Sequence, residues 1–163
     1  MKSMLRGAVV GACALLALTG CAPVVALDPA PDATNTLCAD VIVHLPDSVD
    51  DLASRETSAQ GTGAWGEPTA VVLACGVDVP RASPLRCVTI DGIDWLEDDS
   101  AAPRYLFTTF GREPAVHVLI DTDATTPAGA SVAPGLVLTD LAGAVSATKP
   151  NGLGCTAISD TLT

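Results

Sequence analysis

The chain has 163 residues, 48% apolar but only 3% aromatic, which is enough apolar material for one modest core filled mainly by Ala, Val and Leu. Its 8 Lys and Arg face 19 Asp and Glu, a formal net charge of -11, and no two basic residues are adjacent; a protein that tracks nucleic-acid phosphates is excluded. The apolar content also excludes wholesale disorder.

Lys2 and Arg6 precede an uncharged apolar run from Gly7 to Gly20, the pattern of a removable export signal. The run falls short of the roughly 20 apolar residues that a bilayer-spanning helix needs. The tetrad Leu18-Thr19-Gly20-Cys21 resembles the bacterial lipoprotein signal. That resemblance implies cleavage before Cys21, acylation of its thiol, and a membrane partner reached through the lipid on Cys21. Cleavage removes two positive charges and takes the formal charge from -11 to -13. Residues 21–37 carry Pro23, Pro29, Pro31, Asp28 and Asp32 without apolar periodicity. They read as a disordered tether reaching up to roughly 50 Å at about 3.1 Å per residue.

Setting aside Cys13 in the signal and Cys21 leaves Cys38, Cys75, Cys87 and Cys155, an even set in an exported chain, and predicts two disulfides. Gly76, Pro80 and Pro84 suit a loop between neighbouring strands, so the favoured pairing joins Cys75 to Cys87 and leaves Cys38 with Cys155. No Cys-x-x-Cys occurs, and His44 and His117 lie at no ligand spacing from a cysteine. Neither a metal nor a cofactor is expected.

From Cys38, the apolar positions Val41, Ile42, Leu45 and Val49 mark one face of a helix. The β-branched run Val41-Ile42-Val43 is a competing strand signal, and Pro46 is a break. Asp47 to Gly63 reads as the helix end followed by a loop. A strand is expected over Thr69 to Cys75, stopped by Gly76. Val88 to Trp95 reads as a hairpin turning at Asp91-Gly92, where both residues tolerate positive φ. That turn pairs Ile90 with Ile93 and Val88 with Trp95 on one face, and Thr89 with Asp94 on the other.

Further strands are expected over Arg104 to Phe110 and Ala115 to Asp121. The second places Val116, Val118 and Ile120 on one side, with His117 and Asp121 on the other. Thr122 to Gly135 reads as a mobile loop, and Leu138, Leu141, Ala142 and Val145 as a helix stopped at Pro150-Asn151-Gly152. The expected fold is α+β: an antiparallel sheet of about five strands, N- and C-terminal helices packed on one face, and two disulfides. The expected layout is a signal over 1–20, the tether over 21–37, one domain over 38–158 and a tail over 159–163.

Leu45-Pro46, Arg55-Glu56-Thr57, Ala64-Trp65-Gly66-Glu67-Pro68, Cys75-Gly76-Val77, the hairpin, Thr109 to Val116 and Cys155 together resemble an uncharacterised family of small actinobacterial envelope proteins, domain of unknown function 3515. The likeness covers most of Cys38 to Cys155. It implies an envelope location and the extent of the domain, and it carries no reaction and no site residues.

The motifs Gly-x-Ser-x-Gly, His-Glu-x-x-His and Gly-x-x-x-x-Gly-Lys are absent. His117 and Asp121 stand four residues apart on a strand, roughly 13 Å, too far for a direct hydrogen bond. Glu97, Asp98 and Asp99 read as solvated acidic surface. Asp121-Thr122-Asp123 opens like a calcium loop, but Thr126 and Val132 replace the Gly and Glu such a loop requires. Aromatic and Arg side chains dominate protein interfaces, so Trp65 beside Gly66 and Pro68 is a candidate contact residue together with Arg55, Arg104 and Arg112. Trp95 is assigned to the core through Val88.

The expected function is a noncatalytic, lipid-anchored envelope module, outside the cytoplasmic membrane, that binds an exported protein or an envelope component through the loop around Arg55 to Pro68 with Arg104 and Arg112. The alternative is a hydrolase or transferase acting on cell-wall polymers through surface carboxylates. A purely structural spacer is a third reading.

Overall fold

The computed structural model describes residues 23–81 and 83–155. The expected export signal over 1–20, the expected acylation site Cys21 and the expected tail over 159–163 lie outside the described residues.

The regular structure is mostly β, which corrects the expected α+β fold and its sheet of about five strands. Eight antiparallel strands form one sheet in the order β1 (Ser48–Val49), β2 (Leu52–Arg55), β3 (Thr62–Trp65), β4 (Val71–Val77), β9 (Ala115–Asp121), β7 (Arg104–Phe110), β6 (Ile93–Ala101) and β5 (Arg86–Ile90). A separate two-residue pairing joins β8 (Arg112–Glu113) to β10 (Lys149–Pro150). The helices are α1 (Thr36–Val43) and α2 (Pro134–Val145). The extra strands of the main sheet lie between Ser48 and Trp65, most of which was expected to be a helix end and loop. Val49, expected on the helix stripe, belongs to β1.

The β5–β6 hairpin has the expected register, with Ile90 opposite Ile93, Thr89 opposite Asp94 and Val88 opposite Trp95. Its turn residues Asp91 and Gly92 have φ of 48° and 76°. The β1–β2 hairpin uses the same solution without a glycine: Asp50 and Asp51 have φ of 45° and 62°, and Val49 closes opposite Leu52. Side chains of this kind visit the left-handed region at some cost, and distant hydrogen bonds hold the turn. The Asp50 backbone N–H donates to Asp140 Oδ2 at 2.9 Å, and Asp50 Oδ2 accepts from the Ala133 N–H at 2.8 Å. Ala133 is the N-cap of α2 and has no capping side chain of its own, so Asp50, 83 residues away, supplies the acceptor.

Alternation along the central strands divides the sheet into two faces. Val116, Val118 and Ile120 of β9 are fully buried, as are Val71 and Leu73 of β4 and Trp95 of β6. They share one core with Val41 of α1 and with Leu138, Leu141 and Val145 of α2. The opposite face carries His117, Leu119, Leu106 and Thr108, all half-buried. Helix α1 starts at Asn35, whose side chain accepts from the Leu37 N–H at 3.0 Å.

The N-terminal segment is docked on the domain, which corrects the expectation of a disordered tether. Val25 forms a parallel bridge with Thr57: its N–H donates to the Glu56 carbonyl at 2.9 Å, and its carbonyl accepts from the Ser58 N–H at 3.0 Å. Leu27 N–H donates to Ser58 Oγ at 3.0 Å, and Asp32 N–H to the Gly76 carbonyl at 2.9 Å. At Gly76, with φ of 90°, a side chain would collide with the backbone of Asp32 and Ala33, so only glycine allows this close approach. Sequence composition gave the wrong answer because prolines mark exposed loops, whereas this segment is held through its backbone.

The disulfide pairing also differs from expectation. Cys38 is bonded to Cys75 and Cys87 to Cys155, with Cα separations of 5.5 and 5.6 Å. The expected Cys75–Cys87 bridge is geometrically closed: three strands lie between β4 and β5. Four strand spacings amount to about 19 Å, well beyond the Cα separations a disulfide tolerates. Cys155 reaches Cys87 because the last described residues cross the end of the sheet. The Asn151 N–H donates to the Gly111 carbonyl and the Cys155 N–H to Asp94 Oδ2, at 2.9 and 2.8 Å.

Candidate functional site

Strand β2 is two residues longer than its neighbour β1, and a gap lies along it. The gap is a cleft of about 750 Å³, lined by Asp51 through Glu56, by Gly66 and Glu67 after β3, and by Thr125 to Pro127 after β9. Its volume lies within the range of small-ligand sites. Leu52 forms apolar floor, and Asp51, Glu56 and Glu67 place three carboxylates around it.

Arg55 is the cation of the cleft, and its position follows from the sheet register. Arg55 pairs with Ala64 on β3, so its side chain lies on the face opposite Trp65 and reaches over the turn that follows β3. Its Nη1 donates to the Gly66 carbonyl at 3.3 Å and to Thr69 Oγ1 at 3.0 Å. Its Nη2 donates to the Pro23 carbonyl at 2.8 Å and lies 3.2 Å from Glu67 Oε2. The Arg55 side chain is only 10% exposed whereas that of Glu67 is 68% exposed. Solvent screens such a pair, so its ionic attraction is worth under about 1 kcal/mol, and the neutral acceptors do most of the positioning. The buried Nε has no hydrogen-bond partner among the described residues. Arg55 thereby ties three elements together: the N-terminal segment, the turn after β3, and the cleft wall.

The other expected contact residues do not converge on Arg55. Arg104 opens β7 opposite Asp121, at the same end of the strands but four strand positions away. Arg112 lies at the opposite end, where its Nη1 donates to the Thr148 carbonyl at 2.9 Å. Burial draws the Arg112 guanidinium below its ordinary range, opposed by the nearby Asp94 carboxylate.

Trp65 is not a surface contact residue: it is 1% exposed, and its Nε1 donates to the Pro46 carbonyl at 3.1 Å. Gly66 and Pro68 signal a turn, but the ring points from the strand before the turn into the core. Gly63, two residues back on the same face, leaves it room: a Cβ there would stand 2.8 Å from Trp65 Cη2. Trp95 is likewise fully buried.

The acidic segments serve local structure. Asp121 Oδ1 accepts from the Asp123 N–H at 3.0 Å, and Asp98 Oδ1 from the Ser100 N–H at 2.9 Å. Hydrogen bonds from the side chain and backbone of Ser100 hold the Asp98 carboxyl below its usual value. His117 sits between Ala74 and Thr108 on the half-buried face, and burial lowers its pKa. Among the described residues, no three His, Cys, Asp or Glu side chains come together as metal ligands.

Of the cleft, sequence reasoning singled out Arg55 as a contact residue, and the expected contact loop from Arg55 to Pro68 also spans Glu56, Gly66 and Glu67. Glu67 was visible only as part of the Trp65-to-Pro68 turn, and Thr125 to Pro127 only as part of a mobile loop. Asp51 carried no signal, because the strand it precedes is only four residues long, too short for alternation to register. Comparison with curated proteins and with solved structures finds no match. A family model does match, over residues 4–152, and the chain belongs to the family described as Protein of unknown function (DUF3515).

Proposed function

We propose that the protein is a lipid-anchored, extracytoplasmic binding module, moored by acyl groups on Cys21, that engages an exported protein or an envelope component through the Arg55 cleft. The cleft carries the reading: a ligand-sized hollow with an apolar floor, three rim carboxylates and a positioned guanidinium. The two disulfides are compatible with an oxidising compartment outside the cytoplasm. No helix among the described residues is long and apolar enough to cross a membrane. In this reading attachment rests on the lipid, and two or three acyl chains supply it, since each buried methylene adds about 0.8 kcal/mol while one chain alone binds only marginally.

The test uses the full chain, expressed in its native envelope, with a photocrosslinking residue in place of Ser54 in the cleft or of Thr89 on the far edge strand. A discrete adduct from Ser54, absent from Thr89 and abolished by filling the cleft with Ala53→Trp, is the expected result. Matching adducts from both positions, or an adduct indifferent to Ala53→Trp, would remove the cleft from the function.

A further inference from the structure

The sheet has two poles, and the docked N-terminal segment starts at one of them. Val71 at the start of β4 pairs with Ile120 near the end of β9, and Arg104 at the start of β7 pairs with Asp121. The turns at Gly66–Thr69 and Ala101–Arg104 therefore lie at the same end of the strands. The turns at Asp91-Gly92 and Gly111 lie at the other, because Asp94 pairs with Phe110. β9 has seven residues, so the poles are separated by about 24 Å.

Pro23, held by Arg55, sits at the first pole. From there the segment runs beside Glu56 to Ser58, just after β2, to Gly76 at the second. A single residue, Ala22, separates Pro23 from Cys21. Two residue steps of fully extended chain span at most about 7 Å, against the roughly 50 Å that an undocked tether allows.

Resting on the acylation of Cys21, we propose that the pole formed by the Gly66–Thr69 turn lies directly against the lipid headgroup layer, so that the Arg55 cleft opens beside the membrane surface. The N-terminal segment is then a rigid mount, and Arg55 holds both the mount and the cleft wall. Val24, 51% exposed and three residues from the anchor, is a large apolar side chain close to the headgroups in sequence. Charge does not draw the domain down, because a chain at -11 before processing is repelled by anionic lipid. The short covalent mount enforces the contact. Ligands of the cleft are consequently molecules presented within the headgroup layer.

The experiment uses the processed protein purified from membranes and reconstituted in phosphatidylcholine bilayers, with intact-mass measurement to establish acylation. Neutron reflectometry is expected to place the protein layer within about 10 Å of the headgroups, the reach of the two-residue mount plus side chains. Hydrogen exchange, compared with the detergent-solubilised protein, is expected to slow at Gly66–Thr69 and to stay unchanged at Asp91-Gly92 and Gly111. Ten Gly and Ser residues inserted between Ala22 and Pro23 leave the docked segment intact. The insertion is expected to widen the gap by roughly 17 Å and to abolish the protection. An acylated protein with a hydrated gap of tens of ångströms, or with protection at the Gly111 pole, overturns the orientation alone. A Cys21 without acyl mass overturns the anchoring and the orientation together.

Discussion

Replacing Trp65 by Ala separates a role in binding from a role in folding. The indole is 1% exposed, lies across the strand from Val71, and bonds the Pro46 carbonyl through Nε1. Truncating a buried aromatic to Ala costs about 3–5 kcal/mol. Losing the bond to the Pro46 carbonyl adds about 1 kcal/mol, for a total of roughly 4–6 kcal/mol. Domains of this size are stable by about 5–15 kcal/mol, so the variant stands near the edge of folding. Trp65→Phe keeps most of the ring and loses the hydrogen bond and a few atoms, with an expected cost of roughly 1–2 kcal/mol. Urea unfolding followed through Trp95, the other tryptophan and itself fully buried, reads both variants. A contact residue would behave in the opposite way, with unchanged stability and lost partner capture. Trp65→Ala unfolding within about 1 kcal/mol of the parent would refute the packing argument.

Asp50 should stabilise α2 from outside the helix: Asp50→Gly, which relieves the positive φ but removes the Ala133 acceptor, is expected to lower stability by about 1 kcal/mol, and unchanged urea midpoints would count against the remote cap. His117 should make stability depend on pH. Burial holds its folded pKa below the unfolded value, near 6.5, so the unfolded chain binds the proton first as pH falls. Stability therefore declines below about pH 6.5 until the folded pKa is reached, and His117→Gln should flatten this decline; equal slopes for parent and variant would contradict it.

The sequence was most legible where structure is set by near neighbours. Asp91-Gly92 between alternating apolar residues specified the β5–β6 hairpin to the residue pair, because turn chemistry and periodicity agree there. The first three strands escaped notice because they are two to four residues long and interrupted by Gly61 and Gly63, too short for alternation to register. The disulfide pairing depended on strand order, and β9 lies beside β4 although strands from β5 to β8 intervene in sequence. No local pattern encodes that. The docked N-terminal segment failed for a related reason: its partners, the Glu56 and Gly76 carbonyls, are backbone groups more than 30 residues away with no side-chain signature. In the cleft, Arg55 was recognisable as a residue type, but the acceptors that immobilise it come from Pro23, Gly66 and Thr69, which only the folded chain brings together.

The two bridges join the first cysteine of the described residues to the second and the third to the fourth, Cys38 with Cys75 and Cys87 with Cys155. In a chain delivered N-terminus first to an oxidising compartment, each thiol that completes a pair emerges while its proper mate is the only domain thiol still unbonded. An oxidase working strictly in order of arrival would therefore produce the native bonds directly, with no later shuffling by an isomerase. In such a chain the closing step would wait for Cys155, and the edge strand β5 would stay unstapled until that residue had crossed.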